Sequence, residues 1–382
     1  MRLVITLLLT AGLLPSQTFT VIVNFSGLNG AEPNAPLVQG VDGHLYGATH
    51  YGGASPNCSS GCGTVFKVSV TGKLTALHSF SDMPDGSLPL GGLVQTSNRY
   101  FYGTTSEGGS DGEGAIFKIT PSGLVTIAHN FFVNDGSYPT GQLLQAKNFF
   151  LYGTTQFGGT ANSGTVFEIT LSDIFTSMAS FSYPNGVYPN GGVAVDNNGN
   201  VFGTTLQGGT NGLPELGFGT AFKITPAGTL TTVHDFDNST DGAHPAGSLL
   251  FASDGKFYGV AQPGAFFSIA PNGAFSVLDS TAPYVQNLIQ ATDGNIYASA
   301  GDSIYEYVGG AWVTLYSDNG SQASFGNGLL QATDGNFYGV SSNGGTTGDG
   351  FIFKLSTGLA PFLKTLPTFG VLARALPFWE MT

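Results

Sequence analysis

Six histidines are the first candidates for acid–base chemistry in this chain, and three of them share one register. His78, His129 and His234 each stand two residues before a phenylalanine. A general base is normally single and poised by neighbours found nowhere else, so a histidine used three times reads as a brace for a repeated unit. His50 and His244 are single and lie in segments of variable length; only they keep a catalytic reading, and neither shows a partner in the sequence. Three aspartates also recur, in Asp85-Gly86, Asp135-Gly136 and Asp241-Gly242. Carboxylates gathered at one rim suit Ca²⁺, but Asp-Gly is first a turn dipeptide in which the side chain bonds its own backbone. Cys58 and Cys62 stand within a Gly/Ser loop and read as a small local disulfide, ahead of a metal site that would want further Cys or His ligands. Tyr51, Phe157 and Phe218 are loop aromatics that could stack on sugar rings. No HExxH, P-loop or dinucleotide fingerprint is present, and the glutamates are too scattered to suggest an acid/base pair.

Composition narrows what could position these groups. In 382 residues there are 11 Lys+Arg against 24 Asp+Glu, a net charge of −13, which leaves no cationic surface for phosphates and argues against nucleic-acid binding. Only 9% of the chain is charged, too little Glu and Lys for long helices, while 41% hydrophobic and 12% aromatic content can form a core. Residues 1–17 carry Arg2, an apolar run over 3–14 and then Pro15-Ser16-Gln17, the order of a secretion signal. A buried first strand is the alternative for that run. No other stretch is long and apolar enough for a membrane helix, so the expectation is an extracellular or cell-surface protein without a membrane span.

Repetition dominates the rest. Aligned on an aromatic-Gly pair, seven copies appear, anchored at Tyr46, Tyr102, Tyr152, Phe202, Tyr258, Tyr297 and Tyr338, with spacings of 56, 50, 50, 56, 39 and 41. Each copy holds four short segments with strand character. The first ends seven residues before the anchor in all seven copies, at Gln39, Gln95, Gln145, Val195, Phe251, Gln290 and Gln331. Asp-Gly or Asn-Gly turns join first to second strands in five copies, and Pro-x-Gly turns join third to fourth in three. Four antiparallel strands per unit, repeated seven times, predict an all-β seven-bladed propeller. Ahead of the first copy, Phe25 precedes Gln39 by 14 residues, the interval that separates Phe131 from Gln145. Residues 18–25 are therefore expected to supply the outer strand of the last blade and close the ring.

The recurring YGTT-x-x-GG, GTVFKIT and DG-x-x-P-x-G-x-L-x-Q motifs resemble the GloVer tandem repeat of bacterial choice-of-anchor surface proteins, over roughly residues 18–355. The resemblance implies secretion or surface display and carries no activity with it. Copies five and six are shortened and lack the GG loop, and after the family-like lead LSTGLAPFLKTLPT the end FGVLARALPFWEMT shares nothing with the family. The expected organisation is thus a leader over 1–17, a propeller over 18–358 and a divergent tail over 359–382, with a truncation or frameshift near Phe369 as its explanation.

Topology then sorts the loops. First–second and third–fourth turns share one face and are tight; second–third loops and blade links share the other and carry all the length variation, longest over 50–63 and 206–219. Function concentrates in variable loops on rigid scaffolds, so that face is the expected binding face. The glutamines Gln39, Gln95, Gln145, Gln290 and Gln331 fall on the strands that line a propeller's channel. They either present amides to a polar ligand there or bond the backbone of the adjacent blade. The leading expectation is a monomeric binding or scaffold module for glycans or proteins, with no cofactor beyond a possible role for Ca²⁺. An extracellular polysaccharide lyase or hydrolase is the alternative, and a degenerate copy without activity the third reading.

Overall fold

The structure is a computed structural model that describes residues 17–212, 216–318, 323–326 and 328–363. Almost all of the leader segment, and the tail from residue 364 onward, lie outside the described residues. Among those described there is no helix, and none long and apolar enough to cross a membrane. The chain is an all-β, seven-bladed propeller of four-stranded antiparallel sheets. Blade 1 is typical: strands Val38–Gln39, Leu45–Thr49, Thr64–Val68 and Leu74–Ser79 follow one another from the channel outward. The last sheet is built from Leu329–Gln331, Phe337–Ser341 and Phe351–Ser356, with Thr18–Asn24 paired antiparallel on its outer edge, Thr18 opposite Ser356 and Asn24 opposite Phe351.

Packing explains the repeat. The second strands are buried along their whole length in blades 1 to 4, since neighbouring blades cover both sheet faces. In blades 1 to 4 the phenylalanine after the fourth strand inserts edge-on against the third-strand phenylalanine of the next blade. Centroid distances are 5.0 Å for Phe80–Phe117, 5.3 Å for Phe131–Phe167, 4.9 Å for Phe181–Phe222 and 5.3 Å for Phe236–Phe267. Phe25 makes the same contact with Phe66 at 5.2 Å, and Phe325 makes it with Phe353 at 4.9 Å. The anchor glycine is required by close approach: a Cβ on Gly153 would stand 2.5 Å from Cζ of Phe167.

Where the sequence offers Asp-Gly at the first turn, the aspartate also receives the anchor tyrosine. Tyr46 donates to Asp42, Tyr258 to Asp254 and Tyr297 to Asp293, each at 2.7 Å. In blades 2 and 3 no glycine is present, and Arg99 and Phe149 take its left-handed conformation at φ 69° and 67°. That conformation costs a side chain on the order of 1 kcal/mol.

Candidate functional site

The thrice-repeated histidines are fastened within their own blades. His78 Nε2 lies 2.7 Å from Asp85, His129 3.1 Å from Asp135 and His234 2.5 Å from Asp241. The other oxygen of each aspartate accepts a backbone N–H, from Ser81, Phe132 and Asp237 respectively. His129 and His234 further lie flat on Phe175 and Phe275 of the next blade, at 3.8 and 3.5 Å. Burial outweighs the Asp135 carboxylate and holds His129 below its ordinary pKa. Burial also lifts Asp241, whereas bonds from His78 and Ser81 overcome it and lower Asp85. The oxygens that the sequence offers to Ca²⁺ are thus spent on a histidine and a turn, and no cluster of three or more His, Cys, Asp or Glu that could hold a metal occurs among the described residues.

Cys58 and Cys62 form a disulfide with Cα atoms 5.2 Å apart. It shapes the longest loop of blade 1, whose Cys62 carbonyl accepts the Leu88 N–H from the link to blade 2. The closed loop is so short that chain entropy supplies at most about 2 kcal/mol. Replacing both cysteines by alanine is expected to lower stability by no more than that, and dithiothreitol should move the thermal transition of the native chain by the same small amount.

The two single histidines do not come together. His50 is 8% exposed, packs edge-on against Tyr51 at 4.2 Å, and its Nδ1 has no hydrogen-bond partner. Burial pushes its pKa down to about 4. His244 donates from Nδ1 to the Leu206 carbonyl, 2.7 Å away, and neither histidine forms an ion pair among the described residues.

What the variable-loop face does bring together is a line of half-buried rings. Phe157 stands 5.9 Å from Tyr138 on one side and 5.3 Å from Tyr188 on the other, and Phe218 lies 6.3 Å from His244. The pKa of Tyr138 is raised by burial and then by the nearby Glu107 and Tyr51, with a hydrogen bond to Ser106 opposing. Rings from blades 1 and 3 and the links that follow blades 2 and 3 therefore share one surface with the exposed Glu107. Tyr138 and Tyr188 were not singled out by sequence. Their signal is a register: Glu32, Leu88, Tyr138, Tyr188 and His244 each precede a proline and each sit at φ between 50° and 61°. Their amides and carbonyls are clamped by the second–third loops, as Tyr138 N is by the Glu113 carbonyl and its own carbonyl by Gln156 N. A backbone held on both sides aims the side chain out of the link.

The channel glutamines face sideways. Gln95 Oε1 accepts the Val41 N–H at 2.9 Å, Gln145 the Ser97 N–H at 3.0 Å, Gln290 the Ser253 N–H at 2.8 Å, and Gln331 and Gln39 the Thr292 and Thr333 N–H groups at 2.9 Å. Each therefore ties its blade to the first turn of the preceding one. The channel they encircle is open over about 460 Å³, and its lining reaches Lys147 and Asn197 in the first turns of blades 3 and 4. That roomier mouth lies on the tight-turn face, opposite to the face that loop length favours.

The model of the Gloeobacter/Verrucomicrobia repeat matches residues 12–150 and 100–302. No curated protein matches the chain. Among solved structures, the extracellular domains attributed to two hybrid two-component systems of B. thetaiotaomicron are similar in fold. One has a TM-score of 0.58 at 15% identity, over 88% of this chain and 41% of the other; the second has 0.59 at 12%, over 89% and 40%. A fungal alcohol oxidase of the AA5 family, solved with copper, gives 0.58 at 11% identity over 90% and 76%. At such identities the likeness is one of fold, and this chain spans about two fifths of the length of the Bacteroides structures.

Proposed function

The chain belongs to the Gloeobacter/Verrucomicrobia repeat family, and on that premise we propose that it is an extracellular binding propeller that takes carbohydrate on its variable-loop face. The observation that carries the reading is the run of rings Tyr138, Phe157 and Tyr188 beside Glu107. Aromatic faces receive the apolar C–H side of a pyranose, and the neighbouring carboxylate of Glu107 receives its hydroxyls. An extracellular setting is supported by the disulfide and by the extracellular origin of the Bacteroides relatives in fold.

The test is a glycan array probed with the full chain, followed by titration of the best ligand. Retention of one glycan class is expected, with Tyr188→Ala and Phe157→Ala each weakening binding about tenfold, the loss of roughly one stacking contact. Thermal melting of the variants controls for folding. Failure to retain any glycan, or equal affinity in folded Tyr188→Ala, defeats the proposal.

A further inference from the structure

We propose that the channel mouth on the tight-turn face is a second binding site, for a small carboxylate bearing an aliphatic chain; it stands independently of the carbohydrate reading. The argument begins with the glutamine ring. At five seams a glutamine carbonyl oxygen accepts the amide N–H two residues past the end of the preceding blade's first strand. At the other two seams the acceptor position holds Val195 and Phe251. The donors that stand in register there are the amides of Lys147 and Asn197, and neither has an acceptor among the described residues. Both residues line the channel cavity. The ring of amide bonds is thus broken on one side only, and the break coincides with the open volume.

The chemistry at the break is that of an anion seat over an apolar tube. Lys147 is the only cationic residue on the cavity wall, and its Nζ rests 2.7 Å from Asn197 Oδ1, holding it over the gap. The one carboxylate nearby, Asp196, has its oxygens occupied: Oδ1 accepts from Asn198 N and Asn200 N, and Oδ2 from Asn200 Nδ2. Below the mouth the wall is made of half-buried Leu144, Val195, Leu250 and Ile289 with Phe251. A carboxylate can take the two free N–H groups and the ammonium, charge-assisted hydrogen bonds that a neutral head group does not match. The 460 Å³ beneath suit an aliphatic chain on the order of ten carbons.

Calorimetric titration of the full chain with decanoate, decan-1-ol and acetate tests this. Decanoate is expected to bind, decan-1-ol at least about tenfold more weakly, and acetate not measurably. Val195→Gln supplies the missing acceptor to Lys147 N–H and partly fills the cavity; it should weaken decanoate about tenfold while leaving the melting temperature equal or higher. Lys147→Met, at an exposed position, should weaken it to a similar degree with melting unchanged. Tyr188→Ala should leave decanoate binding as it is, since that ring lies on the opposite face. The proposal is overturned by no decanoate binding, by decan-1-ol binding as tightly as decanoate, or by equal affinity in the native chain and Val195→Gln.

Discussion

Replacing Phe25 by alanine is expected to destabilise the protein by about 4 kcal/mol, a loss usual for a fully buried phenylalanine in a core that cannot collapse around the gap. Phe25 is 0% exposed and shares a cluster with Leu37 and Phe66 of the first blade and Val340 and Ile352 of the last. Its edge-on contact with Phe66, at 5.2 Å and 62°, matches Phe131 on Phe167 at 5.3 Å and 62°. The two seams differ only in how the chain reaches them. Phe131 follows a fourth strand that pairs with the third strand just before it in the chain, whereas Phe25 follows a strand that pairs with residues more than three hundred positions away. Because equilibrium stability depends on the contact and not on the route, Phe25→Ala and Phe131→Ala should cost the same within about 1 kcal/mol. Urea unfolding of the two variants measures this. A cost below about 1 kcal/mol for Phe25→Ala, beside a full cost for Phe131→Ala, would show that the opening strand does not hold the first and last blades together.

The fold was legible in the sequence because each blade repeats one physical problem. A strand covered on both faces needs a glycine where a phenylalanine presses in, a turn needs Asp-Gly, and a seam needs an edge-on ring, so Tyr102, Gly103 and Phe117 announce their places. Phe325 escaped notice because the shortened sixth copy does not keep the 14-residue interval that marks the other seams. The disulfide was readable from spacing and setting alone. The binding surfaces were harder to see, for opposite reasons. Tyr138 and Tyr188 become prominent only once their left-handed backbone and clamped links are known. The open channel mouth is written as two substitutions, Val195 and Phe251, in an otherwise regular column of glutamines. Those glutamines could be placed at the channel from register, but whether their amides face the ligand or the next blade depends on a turn amide that no spacing rule locates.

The second large effect is a pH dependence that one residue imposes. His50 is buried with Nδ1 unpartnered, and burial pushes its pKa down to about 4. In the unfolded chain a histidine titrates near 6.5. Between these values the unfolded chain binds a proton that the folded chain refuses, so stability falls as pH drops from about 6.5 toward 4 and is fully present above that window. A difference of roughly 2.5 pKa steps corresponds to about 3 kcal/mol at the acid end. Carboxylates and His129 contribute to the same acid lability, which makes the informative quantity the difference between the native chain and His50→Leu. At pH 7.5 the variant should be as stable as the native chain or slightly more so, because leucine fills similar space and removes an unsatisfied buried nitrogen. At pH 4.5 it should be more stable by about 2.5 kcal/mol. Unfolding curves at the two pH values give the difference, and the imidazole resonance of His50 should titrate near 4. A resonance titrating near 6.5, or a gap that does not widen with acid, would place the ring in contact with water and reopen the face around Tyr51 to acid–base chemistry. A ring that stays neutral and dry instead serves to seat Tyr51, and the variable-loop face then works through its aromatic surfaces.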